Sequence, residues 1–200
     1  MTTRSLVIVS AGLSEPSSTR RLADRLTAAT TAALRDLDGR VTTEVIELRA
    51  HAHDLTDHLL TGFAGESLQQ AKDAIAAADG VIAVTPIFSA SYSGLFKTFF
   101  DVLDDGAIEG TPVLMGATAG TARHSLALEH ALRPLFSYLK AVVAPSAVFA
   151  ASEDWGADGL GARIDRAGRG FAALVAAHEP THAADPFADP TPFAQLLRSG

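Results

Sequence analysis

Three short segments of this 200-residue chain carry residue types that suit ligand chemistry. The first is Ser10-Ala11-Gly12-Leu13-Ser14-Glu15-Pro16-Ser17-Ser18-Thr19-Arg20. It is rich in hydroxyls and runs from an apolar segment into a helical pattern. Free N–H groups at a helix start, the positive dipole end and several hydroxyls together make an anion site, with Arg20 or Arg21 adding charge. One serine suffices for simple helix capping, and three consecutive hydroxyls exceed that need. The segment is neither a Walker loop nor a GxGxxG turn, and a monophosphate site is favoured over capping alone. The second is Thr85-Pro86-Ile87-Phe88-Ser89-Ala90-Ser91-Tyr92-Ser93-Gly94. Phe88 and Tyr92 offer flat faces for a ring, and small residues between them let backbone approach it. The third, Gly116-Ala117-Thr118-Ala119-Gly120-Thr121-Ala122, permits a nest of backbone N–H groups near a ligand. Core cover, helix packing and tight turns are the plainer explanations for the second and third.

The elements between them must place these segments together. Apolar runs recur at Leu6-Val7-Ile8-Val9, Val41 to Leu48, Val81-Ile82-Ala83-Val84, Val113-Leu114-Met115 and Ala141-Val142-Val143-Ala144. Most are continuous, as strands buried on both faces are. The run from Val41 to Leu48 alternates, which predicts a sheet edge. Helical stripes fill the gaps: Leu22, Leu26, Ala33 and Leu37; Leu68, Ala71, Ile75 and Ala78; Leu128, Leu132, Leu135 and Leu139. Pro134 should kink or bulge the third of these helices, and the carbonyl of His130, four residues earlier, loses its helical partner. A last helix should begin near Asp158 and carry Ile164, Phe171, Leu174 and Val175. Strand alternating with helix predicts an α/β fold: a parallel sheet with helices on both faces. In such a sheet ligands bind beyond the carboxyl ends of the strands, where all three segments fall.

Composition narrows the class. Lys plus Arg is 16 against 23 Asp plus Glu, a net charge of −7, which disfavours a nucleic-acid partner. There is no Cys, so disulfides, thiolate metal sites and Cys nucleophiles are excluded. The first apolar run is too short for a signal-peptide core or a membrane span, so a cytoplasmic protein with no membrane partner is expected. Residues 49–65 read as a long connection, functional or at an interface. Residues 179–200 contain Pro180, Pro186, Pro190 and Pro192 and read as an extended or disordered tail after a single domain over 1–178. His51, His53 and His58 invite a metal reading, but an interface or surface role suits them better, and no metal site is assigned. His124 and His130 share no helix face; His124 reads as a ligand contact or a solvated residue. Lys97 and Asp101 read as a helix ion pair. Trp155 reads as a packing or interface residue.

Over residues 4–155 the chain resembles the NAD(P)H-dependent FMN reductases of the flavodoxin-like superfamily. The resemblance implies a three-layer sandwich with a five-stranded parallel sheet in the order 2-1-3-4-5. Ser10, Ser17, Ser18 and Thr19 fall at the family's FMN-phosphate positions. Leu13 or Ser14 stands where the family often has Arg, which shifts weight onto hydroxyls, N–H groups and Arg20. Ile87-Phe88 replaces the acidic residue and Tyr that commonly follow Pro86. Thr85-Pro86-Ile87-Phe88, Ser91-Tyr92-Ser93-Gly94, Lys97 and Thr118-Ala119-Gly120-Thr121 are closer to reductases of two-component monooxygenases, such as the alkanesulfonate type; Ala119 stands where Gly is usual. The helix from Leu126 to Leu135, with Pro134, fits that subgroup. Glu153-Asp154-Trp155-Gly156 is similar to an actinobacterial-type branch.

The resemblance implies FMN as cofactor, with NADPH or NADH as co-substrate. It implies hydride transfer from nicotinamide C4 to flavin N5, without a catalytic side chain. The implied cofactor-binding residues are Ser10, Ser17, Ser18, Thr19, Pro86, Ile87, Phe88, Ser89, Tyr92, Thr118, Ala119, Gly120 and Thr121. Backbone N–H groups from Ala119 to Thr121 would stabilise charge at flavin N1 and O2, while Phe88 and the backbone of Pro86 to Ser89 hold the ring. Tyr92 would contact flavin or substrate, including from a neighbouring subunit. A homo-oligomer, dimer or tetramer, and a flavin-dependent, luciferase-like monooxygenase are the implied partners. A quinone or azo reductase on the same site, a flavodoxin-type electron carrier and a non-catalytic flavin-binding module remain the alternatives.

Overall fold

A computed structural model describes residues 3–37 and 39–179. The expected Pro-rich tail lies almost wholly outside them. The strands are β1 (Thr3–Ser10), β2 (Arg40–Glu47), β3 (Gly80–Phe88), β4 (Ser91–Tyr92), β5 (Pro112–Ala119), β6 (Val142–Val143) and β7 (Val148–Ala151). The helices are α1 (Ser18–Asp36), α2 (Ala52–Thr61), α3 (Glu66–Ala76), α4 (Gly94–Asp101), α5 (Arg133–Tyr138) and α6 (Leu160–Ala177).

β2, β1, β3 and β5 run parallel in that order, and β6 and β7 both pair parallel with β5. The sheet has seven strands rather than five because the fifth position is broken in two and β4 adds a short antiparallel arm to β3. The underlying order is the expected 2-1-3-4-5.

The expected strand at Ala141–Ala144 is therefore only half of the fifth position. β6 pairs with Pro112 and Val113, and β7 resumes against Gly116 to Ala119. Pro145 falls in the gap, where a ladder N–H is missing. The Arg133 guanidinium donates to the carbonyls of Ala144 and Pro145, both at 3.4 Å, and ties off the break. Arg133 also pairs with Glu129 and holds that carboxyl below the usual carboxylate range, chiefly through their hydrogen bond.

Continuous apolar runs are explained by burial on two sides. Val7, Val9, Val81, Ala83, Val113 and Met115 face a layer that includes Leu55, Leu68, Ile75, Phe96, Phe99 and Phe136. Leu6, Ile8, Ile82, Val84 and Leu114 face α1 and α6 through Leu22, Leu26, Ile164, Phe171 and Val175. Successive strand residues alternate between these layers, as the pleat requires. β2 pairs only with β1 and is mostly exposed, which matches its alternating sequence.

α1 and α6 lie very close. A Cβ on Gly168 would meet the Ala29 Cβ at 2.8 Å and the Thr30 backbone N at 3.0 Å. Along α1 the buried row is Leu22, Leu26, Thr30 and Leu34, while Leu37 is 56% exposed. The expected Leu37 contact fails because the helix ends at Asp36 and the i+4 row selects Leu34.

Residues 49–65 are not an irregular connection. Leu48–His51 forms a tight helical turn that leads into α2, and Gly62 stops that helix at φ 77°, donating its N–H to the His58 carbonyl. Leu48 and Leu55, seven apart, are both fully buried and supply the anchor. Pro134 has the expected consequence: Leu128–Leu132 widens into a π turn, with the Arg133 N–H reaching the Leu128 carbonyl.

Candidate active site

The carboxyl ends of β1, β3, β5 and β7 surround a cavity of about 380 Å³. Its wall combines residues from all three predicted segments: Ser17, Ser18 and Thr19; Pro86, Ile87 and Phe88; Thr118, Ala119 and Gly120. Leu13, Ser14, Ser152 and Trp155 complete it. The volume lies within the range usual for small-molecule and cofactor sites.

Each wall follows from local structure. Ser17 is the N-cap of α1, and its Oγ accepts the Arg20 N–H at 3.2 Å. The loop before it folds tightly, since a Cβ on Gly12 would stand 2.0 Å from the Ser17 Oγ. α1 has no acidic residue in its first turn, so its positive end carries no internal counter-anion there. Thr19 and Thr118 join across the cavity floor by a buried hydroxyl–hydroxyl bond of 2.8 Å. That bond ties the start of α1 to the end of β5. Ser10 does not line the cavity; its Oγ is buried and has no hydrogen-bond partner. A Cβ on Gly120 would meet nothing within 4 Å, so the end of β5 offers open backbone.

The second segment divides in two. Pro86, Ile87 and Phe88 line the cavity. Ser89 and Ala90 form a hairpin turn between β3 and β4, with φ values of 49° and 69°. Turns of this kind favour Asn-Gly, so the Ser-Ala pair hid it from the sequence. Ser89 is not part of the cavity wall. Tyr92 pairs with Ile87 and places its ring 5.9 Å from that of Phe96, in the packed layer rather than in the wall. Thr85 Oγ1 accepts the Ser93 N–H at 3.1 Å and locks the hairpin to the start of α4. Thr121 follows Gly120 but is not part of the wall.

Arg20 is committed elsewhere. It pairs with Asp24 at 2.7 Å and with Glu47, and both hold the guanidinium more firmly charged, the Asp24 hydrogen bond most. Arg49 pairs with Glu15. Among the described residues, no charged side chain lines the cavity.

Sequence reasoning assigned Trp155 to packing or an interface and did not single out Ser152. Both lie in the turn Ser152–Gly156 that follows β7. The signal was positional: they stand at the carboxyl end of the strand beside β5. Asp154 accepts the Ala151 N–H at 2.7 Å and pairs with Arg163, which fixes this turn.

No three His, Asp or Glu side chains converge among the described residues. His51 and His58 have buried Nδ1 atoms without partners. His124 sits, partly buried, in the turn Ala122–His124. Lys97 and Asp101 form the expected ion pair. A larger cavity of about 590 Å³ lies at the opposite ends of the strands, beside residues 100–109 and 138–140. Its Asp101, Asp104 and Glu109 are already paired with Lys97, Lys72 and Lys140.

A family model described as NADPH-dependent FMN reductase matches residues 4–156, which span the whole cavity wall. The chain belongs to this family. An FMN reductase (NADPH) of Pseudomonas aeruginosa is 41% identical over 150 residues, 75% of this chain and 78% of that one. An NADH-dependent FMN reductase, SfnE, of Pseudomonas putida is 34% identical over 178 residues, 86% of this chain and 93% of that one. A crystal structure of an oxidoreductase from Corynebacterium diphtheriae superposes with a TM-score of 0.86 at 45% identity, over 88% of this chain and 99% of that one. As a family member the chain is an oxidoreductase, a flavin reductase that works with FMN and NADPH or NADH.

The cavity suits that cofactor. Hydroxyls gather at the start of a 19-residue helix without a first-turn acid, which fits a phosphate. Pro86, Ile87, Phe88 and Trp155 give an apolar wall for a ring, and Gly120 gives close backbone.

Proposed function

We propose that this flavin reductase holds FMN in the cavity between β1, β3, β5 and β7 within a single domain over residues 1–178. The observation that carries this reading is the meeting of the hydroxyl-rich start of α1, the apolar end of β3 and the open backbone of β5 in one wall. FMN when bound supplies the acceptor for the nicotinamide hydride, so no side-chain nucleophile or base is required. Ser17, Ser18 and Thr19, with the first N–H groups of α1, bind the phosphate. Ile87 and Phe88 cover the ring and exclude water. The N–H groups of Ala119, Gly120 and Thr121 orient dipoles toward the ring edge where negative charge gathers. Ser10, Ser89 and Tyr92 support the site from behind the wall.

Anaerobic mixing of the protein with FMN and either NADPH or NADH tests the reading. Flavin absorbance should bleach well above the protein-free rate, and the faster nicotinamide is the physiological donor. Binding of FMN without bleaching would replace the reductase with a carrier.

The chain further works as a cytoplasmic homo-oligomer, dimer or tetramer, and supplies reduced FMN to a flavin-dependent monooxygenase. No helix among the described residues is long and apolar enough to cross a membrane. Leu59, Leu60 and Phe63, at and just beyond the end of α2, are 54%, 80% and 81% exposed, which supports burial against another copy. Leu60→Asp combined with Phe63→Asp should lower the solution mass to that of a smaller assembly, measured by light scattering. An unchanged mass would exclude this surface from the interface.

A further inference from the structure

The cavity poses a charge problem. A flavin phosphate brings negative charge, yet no cation lines the wall among the described residues. The arginines flanking the first loop are mostly neutralised: Arg20 by Asp24 and Glu47, Arg49 by Glu15. Arg21 differs. It forms no ion pair among the described residues, and its guanidinium lies 4.7 Å from the centroid of the Trp155 ring. A cation over an indole face at this distance is held by the ring quadrupole. Trp155 itself lines the cavity with Ser17, Ser18 and Thr19. Arg21 thus sits near the start of α1, two residues beyond Thr19, over the ring of a residue that lines the same site.

The stack is supported from both sides. Trp155 packs against the layer containing Leu22 and Leu26 of α1. Its turn is fixed by Asp154, which accepts the Ala151 N–H and pairs with Arg163. An arginine immobilised this way loses less freedom when an anion arrives than a solvated one would.

We propose that Arg21, held against Trp155, is the counter-charge for the phosphate of the bound flavin, and that this pair makes the chain prefer 5′-phosphorylated flavin over riboflavin. The proposal rests on the reading of the cavity as the FMN site. Arg21 supplies its charge to the phosphate end from beside the wall, and Trp155 is its positioning residue.

The test is equilibrium binding of FMN and of riboflavin to the full chain, read as quenching of flavin fluorescence at several salt concentrations. Trp155 is the only tryptophan, so its emission gives a second readout for variants that keep it. The wild type should prefer FMN, and the preference should shrink with salt. Arg21→Ala should cut the FMN-to-riboflavin affinity ratio about tenfold, flatten its salt dependence and leave riboflavin unchanged. Arg21→Lys should restore part of the ratio, since it keeps the charge but not the flat stack. Trp155→Ser should narrow the ratio, while Trp155→Phe should keep it, because a phenyl face still carries the cation.

An unchanged ratio and salt slope in Arg21→Ala would overturn the proposal. Equal loss of both flavins in Arg21→Ala would also overturn it, because that reports a damaged fold. The underlying site reading fails separately: it falls if Ser17→Ala with Ser18→Ala leaves the ratio untouched. If the serine pair narrows the ratio and Arg21→Ala does not, the site stands and the counter-charge does not.

Discussion

Ser17→Ala combined with Ser18→Ala raises the dissociation constant for FMN on the order of 100-fold while riboflavin shifts by less than about threefold, because only FMN carries the phosphate. Hydrogen bonds to a charged acceptor contribute about 1.5–3 kcal/mol each, and 100-fold corresponds to about 2.7 kcal/mol, close to the minimum for two lost donors. Ser17 also caps α1 through the Arg20 N–H, so the double variant gives up about 1 kcal/mol of stability in addition. A thermal melt separates the two losses: a modest drop in Tm accompanies a selective loss of FMN. Equal weakening of both flavins would remove the phosphate from this loop. Thr19 is left out because removing its hydroxyl would also break the buried bond to Thr118 that ties α1 to β5.

The second large effect is on stability. Phe96→Ala should cost about 3–5 kcal/mol in urea unfolding and lower Tm by roughly 10 °C. Phe96 is fully buried, with ring centroids 4.8 Å from Phe100, 5.9 Å from Tyr92 and 6.2 Å from Phe136. Its backbone N–H also donates to the Ser93 Oγ that caps α4. The lost ring therefore loosens the hairpin that carries Ile87 and Phe88, and FMN affinity should fall with stability. A cost below about 1 kcal/mol would mean that the cluster closes over the gap.

The parallel sheet was legible because burial on both faces writes continuous apolar runs, as in Leu6-Val7-Ile8-Val9 and Val113-Leu114-Met115. The π turn before α5 was legible because Pro134 removes a donor. The break in the fifth strand was missed. The sequence reading ended the strand at Ala144, and the resumption of pairing at Val148 depends on Gly116 to Ala119 across the sheet. α2 was missed because residues 49–65 are polar and His-rich, and the anchoring burial of Leu48 and Leu55 is a tertiary event. The hairpin at Ser89-Ala90 was missed because its turn lacks the Asn-Gly that such a backbone usually takes.

The same division runs through the site. Local chemistry determined the hydroxyl-rich start of α1, the apolar Pro86-Ile87-Phe88 and the small residues after β5, because capping, stiffness and close backbone approach are properties of adjacent residues. Tertiary structure decided the rest. It withdrew Arg20 by bringing Glu47 to it, and it brought Trp155 from the far end of the chain onto Arg21. Charge pairing and ring packing are settled by which groups meet across the fold, and sequence spacing carries no record of such distant neighbours.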